Sequence, residues 1–238
     1  SLQIAVARDG HVIFEAAYGL ADLEQNVPAT VHSRYRSASV SKWMTATAAL
    51  ALVERDRLDL DAPIQRYCAD FPEKSSPITT RELLRHESGI RHEVDYEAAM
   101  RTAANDEARF ALELRRDREL LSEYTRYTDL VSPLAIFKED PLVFEPGTSW
   151  LYSSPGYRVV GCVLEGASSR PYNDLLRELI FERSNMTDTL PDDAWVIVPD
   201  RVAGYHLERG KPLRRAEITD VSGKLPAGGH LSTATNLV

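Results

Sequence analysis

Two short apolar runs open the chain, over residues 2–8 and 12–18, and Asp9-Gly10 separates them. A glycine-containing dipeptide between two such runs is typical of a β-hairpin turn. The pattern therefore predicts two paired strands at the start of the sequence. Because two strands alone are marginally stable in water, they need further strands beside them.

Helical periodicity dominates the middle of the chain. From Lys42 to about Arg55 the apolar residues recur on one helical face and alanine is abundant, which predicts a long helix. Thr79-Thr80-Arg81-Glu82 is typical of a helix start, and Gly89 is expected to break the short helix that follows. The same periodicity predicts two more amphipathic helices, over residues 156–166 and 172–183.

The segment 96–127 is charged and alanine-rich, with alternating arginine and glutamate. We interpret it as a solvated helical insertion and prefer that to a partner-binding face. Short extended pieces are predicted again near the end of the sequence, over residues 202–207 and 211–213, and Gly228–Thr233 is expected to introduce a helix start at Ala234. The order is strands, then helices, then a few short strands, so the fold class is α+β with an apparently incomplete antiparallel sheet.

Composition narrows the functional classes. The apolar fraction of 43% and charged fraction of 27% are those of an ordinary globular protein. A net charge of −8 argues against binding nucleic acid through a basic face. No apolar run is long enough for a membrane-spanning segment. The first residues are already strand-like and resemble no signal or transit peptide, so the sequence leaves the compartment open.

Cysteines and histidines give little indication of a metal site. Cys162 lies in an apolar helical pattern, where a small buried hydrophobe is the favoured interpretation, and a disulfide to Cys68 is possible but unsupported. His86 and His92 are each followed by glutamate, yet neither begins a His-Glu-x-x-His motif. We interpret their loop as structural, and no metal or cofactor is expected.

Ser39-Val40-Ser41-Lys42 is the strongest chemical signal. Residues three apart share one helical face, so the Lys42 amine can lie against the Ser39 hydroxyl. Serine is a weak nucleophile and needs an adjacent base, a role that lysine can fill. The motif alone is weak, since 18 serines and 5 lysines in 238 residues give about 0.4 such pairs by chance. The alternative is a capped helix start with a surface lysine.

Tyr152-Ser153-Ser154 is the second signal. A tyrosine and a small hydroxyl two residues apart, just before a helix, can point into one cleft. Tyr152 could move a proton if Lys42 lowers its pKa, and Ser154 could bond a substrate or Lys42. The alternative is a tyrosine packed at a helix entry with Ser154 as the N-cap.

Together these segments resemble the serine beta-lactamase-related family, which includes class C beta-lactamases, D-alanyl-D-alanine carboxypeptidases and beta-lactamase-like esterases. The similarity spans nearly the whole chain and is closest to the mitochondrial-type serine beta-lactamase-like proteins. It rests on the two motifs above and on four further segments, namely Ile78–Ile90, Phe144–Gly147, Met186–Thr189 and Gly228–Thr233.

The resemblance implies one beta-lactamase/transpeptidase-like domain over residues 1–238. Residues 1–36 and about 200–238 would form a mixed lobe, and about 37–199 a mainly helical lobe. Ser39 would be the acylated nucleophile, Lys42 would help to deprotonate it, and Tyr152 would be general base and proton relay. The substrate would be a small molecule or peptide, and the family suggests a bacterial periplasmic or extracellular protein, or a mitochondrial one.

Two departures from the family pattern affect these expectations. The family often has asparagine where this chain has Ser154, so Ser154 is expected to bind substrate with an altered preference. The family's third motif, Lys-Thr-Gly or His-x-Gly on a core strand, would fall beyond Val238, so a C-terminally truncated copy is expected. The functional alternative is a non-catalytic binding or scaffold protein with the same fold. A Ser-His-Asp hydrolase is disfavoured because no Gly-x-Ser-x-Gly motif occurs. The oligomeric state is not predicted.

Overall fold

A computed structural model describes residues 1–238 of the chain. Its nine strands are short, and every strand pair is antiparallel. The strands are β1 (Leu2–Arg8), β2 (His11–Tyr18), β3 (Leu20–Asp22), β4 (Val27–Pro28), β5 (Tyr35–Arg36), β6 (Leu190–Pro191), β7 (Tyr205–His206), β8 (Arg214–Arg215) and β9 (His230–Ser232).

Helices make up most of the remaining regular structure. The α-helices are α1 (Ser41–Val53), α2 (Thr80–Arg85), α3 (Tyr96–Arg101), α4 (Asp106–Ser122), α5 (Ser154–Ser168), α6 (Tyr172–Leu176) and α7 (Leu225–Gly228). Short 3-10 turns cover Ala38–Val40, Ile64–Arg66, Ser132–Ile136, Ser222–Lys224 and Thr235–Leu237. The predicted α+β class is confirmed.

The predicted hairpin is present as β1 and β2, paired from Leu2 opposite Tyr18 to Arg8 opposite His11. Most of its residues are exposed, including apolar ones such as Ile13 and Phe14. The other strands do not extend it into one sheet. They form separate sheets of two or three strands, in the orders β3-β4, β5-β9-β6 and β7-β8. The division of the chain into a mixed and a helical lobe stays a prediction.

The β5-β9-β6 sheet positions the segment that precedes Ser39. Tyr35 pairs with Ser232, and Leu190 pairs with Leu231 on the other side of β9. The central strand β9 is buried at all three of its residues. Residues far apart in sequence are therefore held together directly beside the start of α1.

Helix α5 forms the centre of the hydrophobic core. Four of its apolar side chains are fully buried, namely Val159, Val160, Val163 and Leu164. Burial of one such side chain is worth roughly 1.5–3 kcal/mol. Helices α1, α2, α6 and α7 all pack against α5. The N-terminus of α5 is thereby fixed relative to α1.

Several predicted boundaries shift. The Thr79–Glu82 capping box is present, but α2 ends at Arg85 rather than at Gly89, because His86 adopts a left-handed conformation with φ of 63°. Residues 172–183 form α6 followed by a π-helical turn over Arg177–Phe181. In the charged segment, α4 buries none of its residues, as expected for a solvated helix.

Cys68 and Cys162 form a disulfide, with their Cα atoms 5.5 Å apart. Cys162 is buried as the apolar pattern predicted, and the disulfide that the sequence left open is present. The bond joins the segment after the Ile64–Arg66 turn to the middle of α5 across 94 residues of sequence. Both residues are buried in the core, which is why the apolar pattern around Cys162 concealed the bond.

Candidate active site

Ser39 lies in the 3-10 turn Ala38–Val40, which runs directly into α1. Its neighbour Ala38 has φ of 45°, a left-handed conformation that costs a non-glycine residue roughly 1–3 kcal/mol. The backbone N–H and the hydroxyl of Ser37 both donate to the carbonyl oxygen of His230, each at 2.9 Å. The turn is thus tied to β9, and the Ser39 side chain is left exposed on its surface.

Lys42 is the buried partner of Ser39 and is only 6% exposed. Its Nζ donates to Ser39 Oγ at 3.0 Å, to Ser154 Oγ at 3.2 Å and to the carbonyl oxygen of Ala227 at 2.7 Å. A lysine ammonium has three donors, and each of them has an acceptor here. The side chain that joins the two sequence motifs is therefore held in one position.

Tyr152 completes the group around the nucleophile. Its hydroxyl donates to Ser39 Oγ at 2.6 Å, and Lys42 Nζ lies 4.8 Å from the centre of its ring. Burial by itself raises the pKa of the phenol. Lys42 and the Ser39 hydroxyl together lower it by more than burial raises it, so the pKa of Tyr152 is below the ordinary value of 10.0. The phenolate form of Tyr152 is therefore more favoured in this site than it is for a tyrosine in water.

Adjacent serines at the start of α5 have different tasks. Ser153 is the N-cap: its hydroxyl accepts from the Gly156 N–H at 2.9 Å and donates to the carbonyl oxygen of Arg91 at 2.8 Å. Ser154, predicted either as the N-cap or as a substrate-binding residue, is the first residue of the helix and points to Lys42. The N-cap alternative for Ser154 is wrong.

Two histidines, His86 and His92, hold the Tyr152 segment in place. The sequence had indicated only a structural loop for them. His86 Nδ1 accepts from the Ser153 N–H at 3.1 Å, and His92 Nδ1 accepts from the Ser154 N–H at 3.4 Å. The His86 ring also lies 4.6 Å from that of Tyr152. Burial, followed by the charge of Lys42, lowers the pKa of His86, so its ring stays neutral and available as an acceptor.

The structure brings together all four residues that the sequence singled out, Ser39, Lys42, Tyr152 and Ser154. It adds the Ala227 carbonyl, which sequence could not indicate because a backbone oxygen carries no residue signature. The arrangement can withdraw a proton from Ser39 while a cation lies beside the acceptor. No group of three histidine, cysteine or acidic side chains is arranged to hold a metal ion.

None of the helices combines the length and hydropathy that a bilayer-spanning segment requires.

The family model described as Beta-lactamase matches the chain over residues 1–238. The chain belongs to the beta-lactamase family. The resemblance to this family, predicted from the sequence, is thereby confirmed.

Individual relatives agree with the family assignment. The serine beta-lactamase-like protein LACTB, mitochondrial, of Homo sapiens is 28% identical over 284 residues, which cover 99% of this chain and 51% of that protein. Esterase EstB of Burkholderia gladioli is 32% identical over 229 residues, covering 94% of this chain and 54% of the esterase. This beta-lactamase family chain therefore spans about half the length of these curated relatives.

A solved structure shares the fold as well. The penicillin binding protein from Bacillus halodurans superimposes with a TM-score of 0.72 at 25% identity, covering 94% of this chain and 62% of that one. The beta-lactamase/transpeptidase-like fold predicted from the sequence is confirmed.

Proposed function

We propose that Ser39 is the nucleophile of a serine hydrolase that forms an acyl-enzyme on an amide or ester substrate. One observation carries the proposal: an exposed hydroxyl lies 3.0 Å from Lys42 Nζ and 2.6 Å from the Tyr152 hydroxyl. A nucleophile within hydrogen-bond reach of a base that is itself held in place is the geometry that activates serine.

In the acylation step, the ionised Tyr152 oxygen takes the proton of Ser39 as Oγ attacks the substrate carbonyl carbon. The positive charge of Lys42 stabilises the phenolate that precedes this transfer. The C–N or C–O bond of the tetrahedral intermediate then breaks, and Tyr152 returns the proton to the leaving amine or alcohol. Water then attacks the ester carbonyl carbon and loses a proton to Tyr152. The C–Oγ bond of this second tetrahedral intermediate breaks, Tyr152 returns the proton to Ser39 Oγ, and the carboxylic acid leaves.

The negative charge on the substrate oxygen needs donors. The Ser39 backbone N–H, at the start of the helical segment that becomes α1, is proposed as one of them. One such donor is typically worth about 3 kcal/mol of transition-state stabilisation. Ser154 is proposed to contact the substrate beside Lys42, whose Nζ donates to its hydroxyl.

Support for this activity also comes from the relatives. Esterase EstB is named for ester hydrolysis, and the chain shares most of its own length with it. The substrate class that we propose is an amide or an ester, with small molecules or peptides as acyl donors.

The test is acylation of the purified chain. We would incubate it with a fluorophosphonate and, separately, with a labelled penicillin, and read the intact mass. A single adduct is expected in the parent protein and none in Ser39→Ala. Ser37→Ala is the matched control because its hydroxyl is two residues away and is bonded to the His230 carbonyl instead of to Lys42. That variant is expected to keep the adduct.

An adduct that persists in Ser39→Ala would place the nucleophile elsewhere. If a folded sample gives no adduct with either reagent, the hydrolase proposal fails and a binding or scaffold role replaces it.

A further inference from the structure

Arg158 is a buried cation without a partner. It lies one turn after Ser154 on α5 and is only 8% exposed. Its Nε has no hydrogen-bond partner, and no carboxylate oxygen lies within 4.0 Å of its guanidinium nitrogens. Burial lowers the pKa of this guanidinium below its ordinary value. An uncompensated buried charge is costly, so such a residue is expected to have a counter-ion when the protein is at work.

The guanidinium faces a cavity of 390 Å³ between α4, α5 and the segment 91–96. Pockets that hold small molecules in proteins begin at about this size, roughly 300 Å³. Pro155, which follows Ser154, forms part of the cavity wall, so the cavity lies beside the candidate active site. It is a different space, because neither Ser39 nor Lys42 lines it.

The acidic residues around this cavity are largely engaged by other cations. Glu119 accepts from Arg91 and Glu123 pairs with Lys224, and both act on Arg158 only from beyond ion-pair distance, where their charges partly offset the effect of burial on its pKa. Glu93 also lines the cavity, but it is exposed and forms no ion pair within 4.0 Å. The lining carries four basic and three acidic side chains, a net charge of +1. The other three basic side chains are themselves paired, Arg91 with Asp140, Arg116 with Asp117 and Lys224 with Glu123, so Arg158 is the lining cation left for a bound anion.

Much of the remaining wall is apolar, although Ser122 and Tyr96 also line it. Val94, Leu120, Ile136 and Phe137 line it. A ligand that fits both features has an anionic head group and a short apolar body. Guanidinium recognises carboxylate and phosphate groups with two parallel hydrogen bonds, which makes both head groups suitable.

We propose that this cavity binds a small amphiphilic molecule with a carboxylate or phosphate head group, and that Arg158 is its counter-ion. The site does not depend on Ser39 or on acyl-enzyme chemistry.

Octanoate and octyl phosphate are suitable probes, and 1-octanol is the neutral control of equal chain length. Isothermal titration should give one binding site for at least one of the two anions, and the pair distinguishes the head groups. Because a hydrogen-bonded charge is worth about 1.5–3 kcal/mol, 1-octanol should bind roughly tenfold to hundredfold more weakly. Equal binding of 1-octanol, or no binding of either anion, would overturn the proposal without any variant.

Arg158→Met removes the charge and keeps an apolar side chain of similar length. Anion binding should fall by the same roughly tenfold to hundredfold factor. Arg101→Met, on α3 and away from the cavity, should bind like the parent. Without ligand, Arg158→Met should unfold at the same temperature as the parent or a higher one, because it removes an unpaired buried charge.

The unfolding temperature of Arg158→Met also tests the alternative that Arg158 is paired with a carboxylate in solution. If Arg158 is paired with Glu93 or another carboxylate in solution, Arg158→Met will unfold at a lower temperature or fail to fold. Either result would overturn the proposal, as would retention of anion binding in Arg158→Met.

Discussion

The Ser39 hydroxyl oxygen accepts hydrogen bonds from Lys42 and from the neutral phenol of Tyr152. Once Tyr152 ionises, its oxygen can only accept, and the Ser39 hydroxyl becomes the donor of that bond. Lys42 is fixed by two further acceptors, so its charge stays close to the tyrosine oxygen whether or not substrate is present. A fixed cation stabilises the ionised form of the group beside it without reorganisation. At the scale of single residues, the site is therefore organised to favour the basic form of Tyr152.

Tyr152→Phe is expected to slow acylation of Ser39 by roughly 10²–10⁴-fold, because it removes the proposed general base. In the parent protein the acylation rate should rise with pH as the phenol ionises and level off below its ordinary pKa of 10.0, since the pKa of Tyr152 is lowered. The variant should lack that rise. Fluorophosphonate labelling rates measured across pH would show both effects.

Tyr157→Phe is the control for this experiment. Tyr157 also lies near Lys42, with its ring centre 5.7 Å from Nζ, but its hydroxyl donates to the Leu84 carbonyl. Its pH profile should match that of the parent. An unchanged profile in Tyr152→Phe would remove tyrosine from the proton path.

His230 gives a prediction about stability. Its ring is fully buried, neither ring nitrogen has a partner, and burial lowers its pKa to about 4. The unfolded chain binds the proton at about 6.5, so folding stability should fall as pH drops from 6.5 to 4. This single group should account for roughly 3 kcal/mol over that range.

His230→Leu should remove that part of the pH dependence and leave the variant more stable than the parent at pH 4. Urea unfolding at several pH values measures it. His32→Leu, at an exposed loop position, should leave the pH dependence unchanged. If the parent and His230→Leu lose stability in parallel between pH 6.5 and 4, the proposed role of His230 is wrong.

Spacing within each motif predicted that Lys42 lies against Ser39 and that Tyr152 and Ser154 can point into one cleft, because both motifs sit at helix starts. The proximity of the two motifs to each other was an expectation from the family resemblance. The supporting contacts were not predictable. His86 and His92 act through ring nitrogens that accept backbone N–H groups, and only the path of the loop brings them there.

At the scale of elements, α5 holds the site together through close approach at two glycines. A Cβ on Gly161 would lie 2.3 Å from Cγ of Pro226, which precedes the residue whose carbonyl accepts from Lys42. A Cβ on Gly166 would lie 1.7 Å from the Tyr67 carbonyl oxygen, on the side near the disulfide. Helix α5 thus contacts α7, beside the acceptor of Lys42, at Gly161 and the Tyr67 backbone at Gly166.

Gly161→Ala and Gly166→Ala should both lower the unfolding temperature, since each adds a methyl group where no space exists. Only Gly161→Ala should also slow Ser39 acylation, because it displaces α7 and with it the Ala227 acceptor of Lys42. Thermal unfolding and fluorophosphonate labelling of the two variants separate these effects. Equal labelling rates in both would show that the position of α7 does not matter for the nucleophile.

Elements with strong local signals were predicted well. The hairpin follows from a turn dipeptide between two apolar runs, and α1 and α5 follow from apolar residues that recur on one helical face. The β5-β9-β6 sheet was not predicted, since its strands are two or three residues long and β5 pairs with β9 across almost 200 residues. No local pattern specifies such a pairing.

At the scale of the whole molecule, the Cys68–Cys162 disulfide closes a loop of 94 residues that includes α2, α3 and α4. A bond across a loop of this length typically stabilises the folded state by roughly 2–5 kcal/mol, through restriction of the unfolded chain. Reduction therefore lowers the stability of the fold as a whole.

The Cys68→Ala/Cys162→Ala double variant should unfold at a lower temperature than the oxidised parent, by roughly 4–20 °C. Dithiothreitol should lower the unfolding temperature of the parent but not that of the double variant. A thiol titration of the denatured, unreduced parent provides the check. Two free thiols there would contradict the bond.

The central position of β9 sets an order for folding during synthesis. Residues 35–36 leave the ribosome long before residues 230–232, to which they pair. At about 5–20 residues per second, the delay is roughly 10–40 s. Until then Ser37 lacks the His230 carbonyl and Lys42 lacks the Ala227 carbonyl. A nascent chain would therefore carry an inert Ser39, and reactivity would arise only when the late segment docks.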